Sequence, residues 1–202
     1  MKQIKIGVLA LQGAVAEHIR SIESAGAEAV AIKWPHELDD LDGLVIPGGE
    51  STTIGKLMRR YNFVEAIRQF SAQQKPIFGT CAGLIVLAQH IESNHGTEEP
   101  HLALMDIRVR RNAFGRQRES FETDLQVKGI ESPVRAVFIR APLIEAVGEH
   151  VDVICEANGE MVAARQGHLL VCSFHPELTE DSSMHHYFVQ MVVQSLQLNA
   201  NR

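Results

Sequence analysis

Three short segments carry residue types whose spacing suits nucleophilic chemistry. The first is Gly79-Thr80-Cys81-Ala82-Gly83, a cysteine flanked at two residues on either side by glycine. It lies between Pro76-Ile77-Phe78, which reads as a strand, and residues 82–90, which read as a helix. That is the setting of a nucleophile elbow, a turn so tight that only glycines fit around it. A helix amino terminus beneath the sulfur favours its thiolate form. A packing cysteine fits the same five residues taken alone; the strand-to-helix placement favours the nucleophile. The second segment is Phe174-His175-Pro176-Glu177, directly after the apolar run Leu169-Leu170-Val171-Cys172-Ser173. A cysteine nucleophile needs a base, and the base needs an acid to orient it. His175 and Glu177, two apart in an extended stretch, can face one side. By itself a surface His beside a Glu fits equally well. The third segment is Pro47-Gly48-Gly49-Glu50-Ser51, after the run Gly43-Leu44-Val45-Ile46. Its glycines expose backbone N–H groups suited to an oxyanion or a ligand carboxylate. The same residues also make a plain strand-to-helix turn with Ser51 or Thr52 as the cap. No Gly-Lys-Ser/Thr follows, so this is not a phosphate-binding Walker loop.

The elements that must hold these segments alternate through the first half. Residues 4–10, 29–32, 43–46 and 76–78 are apolar runs expected as strands buried on both faces of a parallel sheet. Val15, Ile19 and Ile22 recur at helical spacing and Gly26 follows as a stop. A helical region across residues 57–74 precedes the elbow strand. Strand–helix–strand alternation implies an open, mostly parallel α/β sheet with helices on both faces. The second half reads as short strands at residues 107–109, 121–127, 134–139, 151–156 and 161–164, an antiparallel extension. Asn158-Gly159 is a hairpin signal, because both central positions of that turn want positive φ. Residues 92–100 read as a loop, residues 169–173 as a late core strand and residues 184–198 as a closing helix. No repeat or linker divides the 202 residues, so one domain over residues 1–202 is expected.

Composition removes several function classes. The net charge of −6 argues against a nucleic-acid partner, and the cluster Arg108, Arg110, Arg111, Arg116 and Arg118 reads as a solvated edge or small-anion site. Cys81, Cys155 and Cys172 form no CxxC pair, so neither a disulfide framework nor a zinc site is expected. Cys155 and Cys172 sit in strand patterns as packing residues. His185-His186 point about 100° apart on a helix and cannot easily share an ion. His18 and the remaining histidines have no ligand spacing and read as surface or core. No apolar run reaches the roughly 18–20 residues a membrane span needs, and the amino terminus has no signal-peptide pattern. A cytoplasmic protein without metal or cofactor is expected.

The three chemical segments, in this order, resemble the class I (triad) glutamine amidotransferase family. Further matches are Gly7 to Ala14 with its Leu11-Gln12-Gly13, Glu50-Ser51-Thr52-Thr53, Arg111-Asn112-Ala113-Phe114-Gly115-Arg116-Gln117, Phe138-Ile139-Arg140-Ala141-Pro142, and Leu178-Thr179-Glu180-Asp181. These cover nearly the whole chain and resemble the branch serving pyridoxal 5′-phosphate synthesis. The resemblance implies a flavodoxin-like fold, with Cys81 as nucleophile and His175 and Glu177 completing a triad. It implies a glutamine pocket lined by Gly49, Glu50, Ser51, Arg111, Ile139 and Arg140, and oxyanion donors at the amides of Gly49 and Ala82. Gln12 falls in a region that family members use to communicate with their partner. That partner is a (β/α)8-barrel synthase subunit in a large hetero-oligomer, which takes the ammonia and condenses it with a pentose phosphate and a triose phosphate. A few extra residues around Ser93 to Glu99 depart from the family pattern. Other readings remain open: a glutaminase subunit of another pathway, a γ-glutamyl hydrolase, a cysteine-elbow hydrolase or chaperone, and a scaffold with a dead site. The third of these expects an acid where Gln12 stands.

Overall fold

The computed structural model describes residues 3–93, 95–111 and 120–200. Arg116, Arg118, Glu119 and residues 112–117 of the Arg-Asn segment therefore lie outside the described residues. Five strands form the parallel part of the sheet: β1 (Lys5–Leu9), β2 (Glu28–Ile32), β3 (Gly43–Ile46), β4 (Ile77–Thr80) and β13 (Leu169–Cys172). Their spatial order is β2-β1-β3-β4-β13, with every neighbouring pair parallel. Four of them are apolar nearly throughout because helices cover both faces. Alternation along each strand assigns its side chains to one layer or the other. Leu44 and Ile46 pack with Ile54, Met58, Phe63 and Leu84. Val45 packs on the opposite face with Ile6, Ile22, Phe78 and Phe188. Burying each such side chain contributes about 1.5–3 kcal/mol, so the two layers hold the central strands from both sides.

Helices α1 (Val15–Ser24), α2 (Ser51–Arg60), α3 (Phe63–Ala72), α4 (Ala82–Leu87) and α5 (Ser183–Ala200) supply those layers. The region expected as helix over residues 57–74 is two helices, beginning at Ser51 and broken at Asn62 (φ 61°), a residue type that tolerates the left-handed conformation. The helix expected over residues 82–90 stops at Leu87. Its last carbonyls, of Val86 and Leu87, accept from the N–H groups of Leu102 and Leu104, and the chain continues as β5 (Ala88–Ser93). Short apolar runs leave helix and strand indistinguishable by period alone, which is why nothing in the local pattern marks this change. The loop expected over residues 92–100 instead contains β6 (Gly96–Glu98), which returns antiparallel along β5.

Beyond β13 the sheet turns antiparallel through β12 (Glu160–Gln166) and β10 (Leu143–Val147), the latter a strand with no counterpart in the sequence expectation. β10 runs antiparallel to β7 (Met105–Arg110), which pairs parallel with β5. β11 (Asp152–Ala157) adds to β12 through the Asn158-Gly159 turn, whose φ values of 53° and 81° match the expected hairpin. A separate two-stranded sheet, β8 (Ser120–Leu125) and β9 (Val134–Ile139), packs Phe138 against Phe174 with ring centroids 5.6 Å apart. Among the described residues no helix is long and apolar enough to cross a membrane.

Candidate active site

Parallel pairing of β4 with β13 sets Thr80 opposite Cys172, so the segments leaving these strands emerge side by side at the carboxyl edge. Such edges are where open α/β sheets place their sites. Cys81 follows Thr80 with φ 50° and ψ −107°, a strained conformation for a residue with a side chain. Its N–H donates to the Cys172 carbonyl (2.8 Å) and its own carbonyl accepts from Leu84 in the first turn of α4. The flanking glycines are sterically required. A Cβ on Gly79 would stand 2.5 Å from the Gly83 carbonyl oxygen, and one on Gly83 would collide with the Ile46 carbonyl oxygen. Both obstacles are backbone, so neither can move aside.

His175 is fixed through its N–H, which donates to the Val137 carbonyl of β9 (2.8 Å). Pro176 then starts a 3-10 turn, Pro176–Leu178, that folds Glu177 back under the ring. His175 Nδ1 lies 2.8 Å from Glu177 Oε1, and the Glu177 side chain is fully buried. This leaves Nε2 as the ring nitrogen available to the Cys81 sulfur. Burial works against a charge on His175, but the bonds to Cys81 and Glu177 outweigh it and push its pKa up to about 10. Burial likewise works against the Glu177 carboxylate, and the hydrogen bond from His175 leads the interactions that overcome it, lowering its pKa. The arrangement is that of an imidazolium held between a carboxylate and a sulfur. It can supply a thiolate nucleophile and a proton for a leaving group.

The Gly48-Gly49 loop closes over this trio. A Cβ on Gly48 would stand 2.6 Å from His175 Cε1 and 3.3 Å from Cys81 Cβ. Gly49 (φ 136°) faces Gln12 instead: a Cβ there would stand 2.6 Å from Gln12 Oε1, the oxygen that accepts the Glu50 N–H (2.6 Å). Gly13 abuts the Gly48 carbonyl so closely that no side chain fits there. Glu50, not Ser51 or Thr52, caps α2: its carboxylate accepts from the N–H of Thr52 (2.9 Å) and Thr53 (2.7 Å). Arg111 joins this loop to the β5–β6 hairpin. It donates to Glu50 Oε1 (2.9 Å), Glu98 Oε2 (2.8 Å) and Thr52 Oγ1 (3.1 Å). Ser51 is buried at the start of α2, and Ala82, also buried, opens α4 beside the sulfur. Ile139 is 39% exposed and Arg140 (φ 45°) ends β9, just beyond the Val137 carbonyl that holds His175.

Cys81, His175 and Glu177 thus lie at one edge with the Gly48-Gly49 loop against them and Gln12, Glu50 and Arg111 joined to that loop, and several further residues join them. Gly48, the first glycine of the third segment, stands against His175, whereas Gly49 faces Gln12. Glu98, in the segment expected as loop, is an ion-pair partner of Arg111. His18 and His185, expected as bland, are both fully buried behind Glu177. His18 carries one local signal: it stands three residues after Val15 and four before Ile22, on the apolar stripe of α1. Cys155 and Cys172 are buried away from solvent, and burial pushes their thiols up, Cys155 to about 11. Among the described residues no group of three or more His, Cys, Asp or Glu side chains is placed to hold a metal ion.

An open flavodoxin-like sheet with an elbow cysteine beside a His–Glu pair defines the class I glutamine amidotransferase architecture. Residues 8–194 match the model of the SNO glutamine amidotransferase family, and the chain belongs to that family. Among its relatives, a pyridoxal 5′-phosphate synthase subunit PdxT of Niallia circulans is 71% identical over 189 residues, covering 94% of this chain and 98% of the relative. The protein of the same name from Halalkalibacterium halodurans is 60% identical, covering 95% and 96%. A solved structure described as a glutamine amidotransferase superposes with a TM-score of 0.87 at 45% identity, covering 93% of this chain and 98% of that one.

Proposed function

We propose that the chain is a single-domain glutaminase that hydrolyses L-glutamine to L-glutamate and ammonia and passes the ammonia to a pyridoxal 5′-phosphate synthase partner. The observation that carries the chemistry is the 2.8 Å contact of His175 Nδ1 with buried Glu177 Oε1, next to a cysteine held in an elbow. Cys81 attacks the side-chain amide carbon of glutamine, and the carbonyl oxygen becomes an oxyanion. The amides of Gly49 and Ala82 receive that charge; one such donor is worth about 10²–10³ in turnover. His175 gives its proton to the departing nitrogen, which leaves as ammonia, and a γ-glutamyl thioester remains on Cys81. Water then attacks the thioester as His175 takes its proton. Glutamate departs and the thiolate–imidazolium pair is restored. Glu177 keeps the imidazole in the tautomer that presents Nε2 to the sulfur.

Glu50, Ser51, Arg111, Ile139 and Arg140 form the glutamine pocket, Arg111 matching the substrate carboxylate with its planar fork. Gln12 holds the loop that carries the oxyanion donor through the Glu50 N–H. It is the residue through which the partner's presence reaches Gly49. The names of the relatives support the pathway, and the chemistry supports a partner in any pathway. Ammonia released into water near neutral pH is protonated and ceases to be a nucleophile, so a sheltered route to an acceptor is required.

Glutamate release from glutamine by the purified chain, alone and with its barrel-type synthase partner, tests this reading. The expected result is strong stimulation by the partner, abolished by Cys81→Ala. Full activity of the chain alone would indicate a free-standing hydrolase, and no release in either condition would refute the glutaminase assignment.

A further inference from the structure

Behind the triad lies a chain of buried polar groups that the proposed reaction does not use. Glu177 Oε2, the oxygen not bound to His175, is buried with no hydrogen-bond partner of ordinary length. His18 Nε2 from α1 stands 3.6 Å from it and 3.2 Å from Thr80 Oγ1. His18 Nδ1 lies 2.9 Å from His185 Nε2 on α5. His185 Nδ1, at the far end, is buried and unpartnered. Phe78 packs edge-on against His185 and completes an apolar jacket. We propose that His18 is a positioning residue for Glu177: it presents Nε2–H to the Oε2 side of the carboxylate, and His185 locks it in that tautomer by donating Nε2–H to His18 Nδ1.

The proton arrangement follows by elimination. In the reverse tautomer, His18 would donate from Nδ1 to a bare His185 Nε2 and turn its own Nε2 lone pair toward the buried carboxylate. His185 would then carry its proton on Nδ1, an orphaned buried donor, which is costly. A bare ring nitrogen at that position costs far less. Doubly protonated His18 again forces the proton of His185 onto the orphaned Nδ1. The arrangement with both protons on Nε2 is the one that leaves no orphan N–H, with Thr80 Oγ1 placed to accept from His18. Both rings are held neutral by burial, which lowers their pKa values. Glu177 and Glu17 act against burial at His18, and Glu177 and Asp181 at His185, without offsetting it, while His175 and His186 act in the same direction as burial.

The consequence for catalysis is geometric. A carboxylate bound through one oxygen alone can rotate about its side-chain torsions, and His175 would turn with it. The His18 N–H, hydrogen-bonded to Thr80 Oγ1, faces Oε2 at 3.6 Å and electrostatically favours one orientation of the carboxylate, and with it the direction in which His175 aims at Cys81. α1 and α5 thereby contribute to the site without reaching the substrate.

This inference rests on the glutaminase reading for its kinetic test but not for its spectroscopic one. In the 15N-labelled full-length chain without substrate, imidazole nitrogen shifts are expected to show His18 and His185 both protonated at Nε2 and bare at Nδ1. A proton on Nδ1 of His18 would overturn the proposal. In the complex with the synthase partner, His18→Leu is expected to lower kcat about 10- to 100-fold, the effect of removing an N–H dipole that faces the carboxylate in a low-dielectric interior, with KM for glutamine nearly unchanged. His18→Gln, whose amide reaches the Nε2 position, restores most of kcat; His18→Asn, whose amide stops at the Nδ1 position, does not. Wild-type kcat in His18→Leu, or equal losses in all three variants in step with lowered melting temperature, would assign His18 a packing role only. Absence of glutamate release by the wild-type complex would instead overturn the glutaminase reading and leave the tautomer result standing.

Discussion

Gly48→Ala separates the geometry of the base from the stability of the fold. The Gly48 backbone lies outside the left-handed region, so alanine brings no backbone strain there. By narrowing the unfolded ensemble it stabilises the chain by about 0.4–1 kcal/mol. Its Cβ, however, would lie 2.6 Å from His175 Cε1, where ordinary contact begins at 3.4 Å. Either the loop or the ring must give way by about 0.8 Å to restore ordinary contact at 3.4 Å. The ring has little freedom, being tied to Glu177 on one side and through its backbone to Val137 on the other. The loop is tied by the Glu50–Gln12 bond. Displacement of about 1 Å at a reacting centre can cost 10² in rate, roughly 2.7 kcal/mol. That exceeds any gain in stability, so the two readouts diverge. Glutaminase assays with the synthase partner are expected to give kcat down about 100-fold, while thermal melting stays within a few degrees of wild type. Wild-type kcat at an unchanged melting temperature would refute the claim that Gly48, rather than Gly49, borders the catalytic imidazole.

Glu50→Ala removes the cap of α2 and is expected to cost about 1 kcal/mol at neutral pH, read as a melting temperature lower by about 2–4 °C. Burial works against the Glu50 carboxylate, but bonds from Thr53 and Thr52 lower its pKa to about 2. A depressed carboxylate contributes stability above its unfolded value of 4.5 and loses it as pH falls toward 2. The gap between wild type and variant is therefore expected to shrink in melts run at falling pH; a constant gap would count against the capping account. Arg111→Lys replaces a planar fork that spans Glu50 and Glu98 with a single point charge. KM for glutamine is expected to rise about tenfold or more with kcat largely kept; a fall in kcat alone would show that Arg111 does not hold the substrate.

The parts of the molecule legible in its sequence share a physical cause. Strands buried on both faces are written as β-branched runs, and an elbow needs glycines at fixed offsets, so β1, β3, β4, β13 and Cys81 all leave a local signature. β5, β6 and β10 leave none. They are half-exposed strands without a β-branched run; β5 and β6 form a local hairpin, and β10 pairs with β7, distant in sequence. The same distinction divides the candidate site. Cys81, His175 and Glu177 stand on local motifs, whereas Glu98 and His185 matter through contacts 13 and 167 residues away. His18 lies on an apolar helical stripe, but its meaning depends on Glu177, which no local pattern supplies.

The division of labour in the site follows from where its parts are anchored. Cys81 and His175 leave adjacent central strands paired in register, with Thr80 opposite Cys172. Glu177 is enclosed by α1, α5 and the 3-10 turn; His18 is buried as deeply as it is, and His175 is nearly so. Shifting this trio would mean moving strands packed on both faces, so its geometry is fixed before any ligand arrives. The proposed binding groups are held differently. Glu50, Arg111 and Arg140 follow β3, β7 and β9, strands that lie in different parts of the sheet system. They are joined to one another by exposed ion pairs such as Arg111–Glu50, where the carboxylate side chain is 49% accessible. Pairs of that kind are worth about 0–1 kcal/mol, so rearranging them costs little. A partner that docks at this edge can therefore reset the pocket and the Gly49 loop through Gln12 at modest cost. It would leave Cys81, His175 and Glu177, the proposed nucleophile, base and acid, where the fold has placed them.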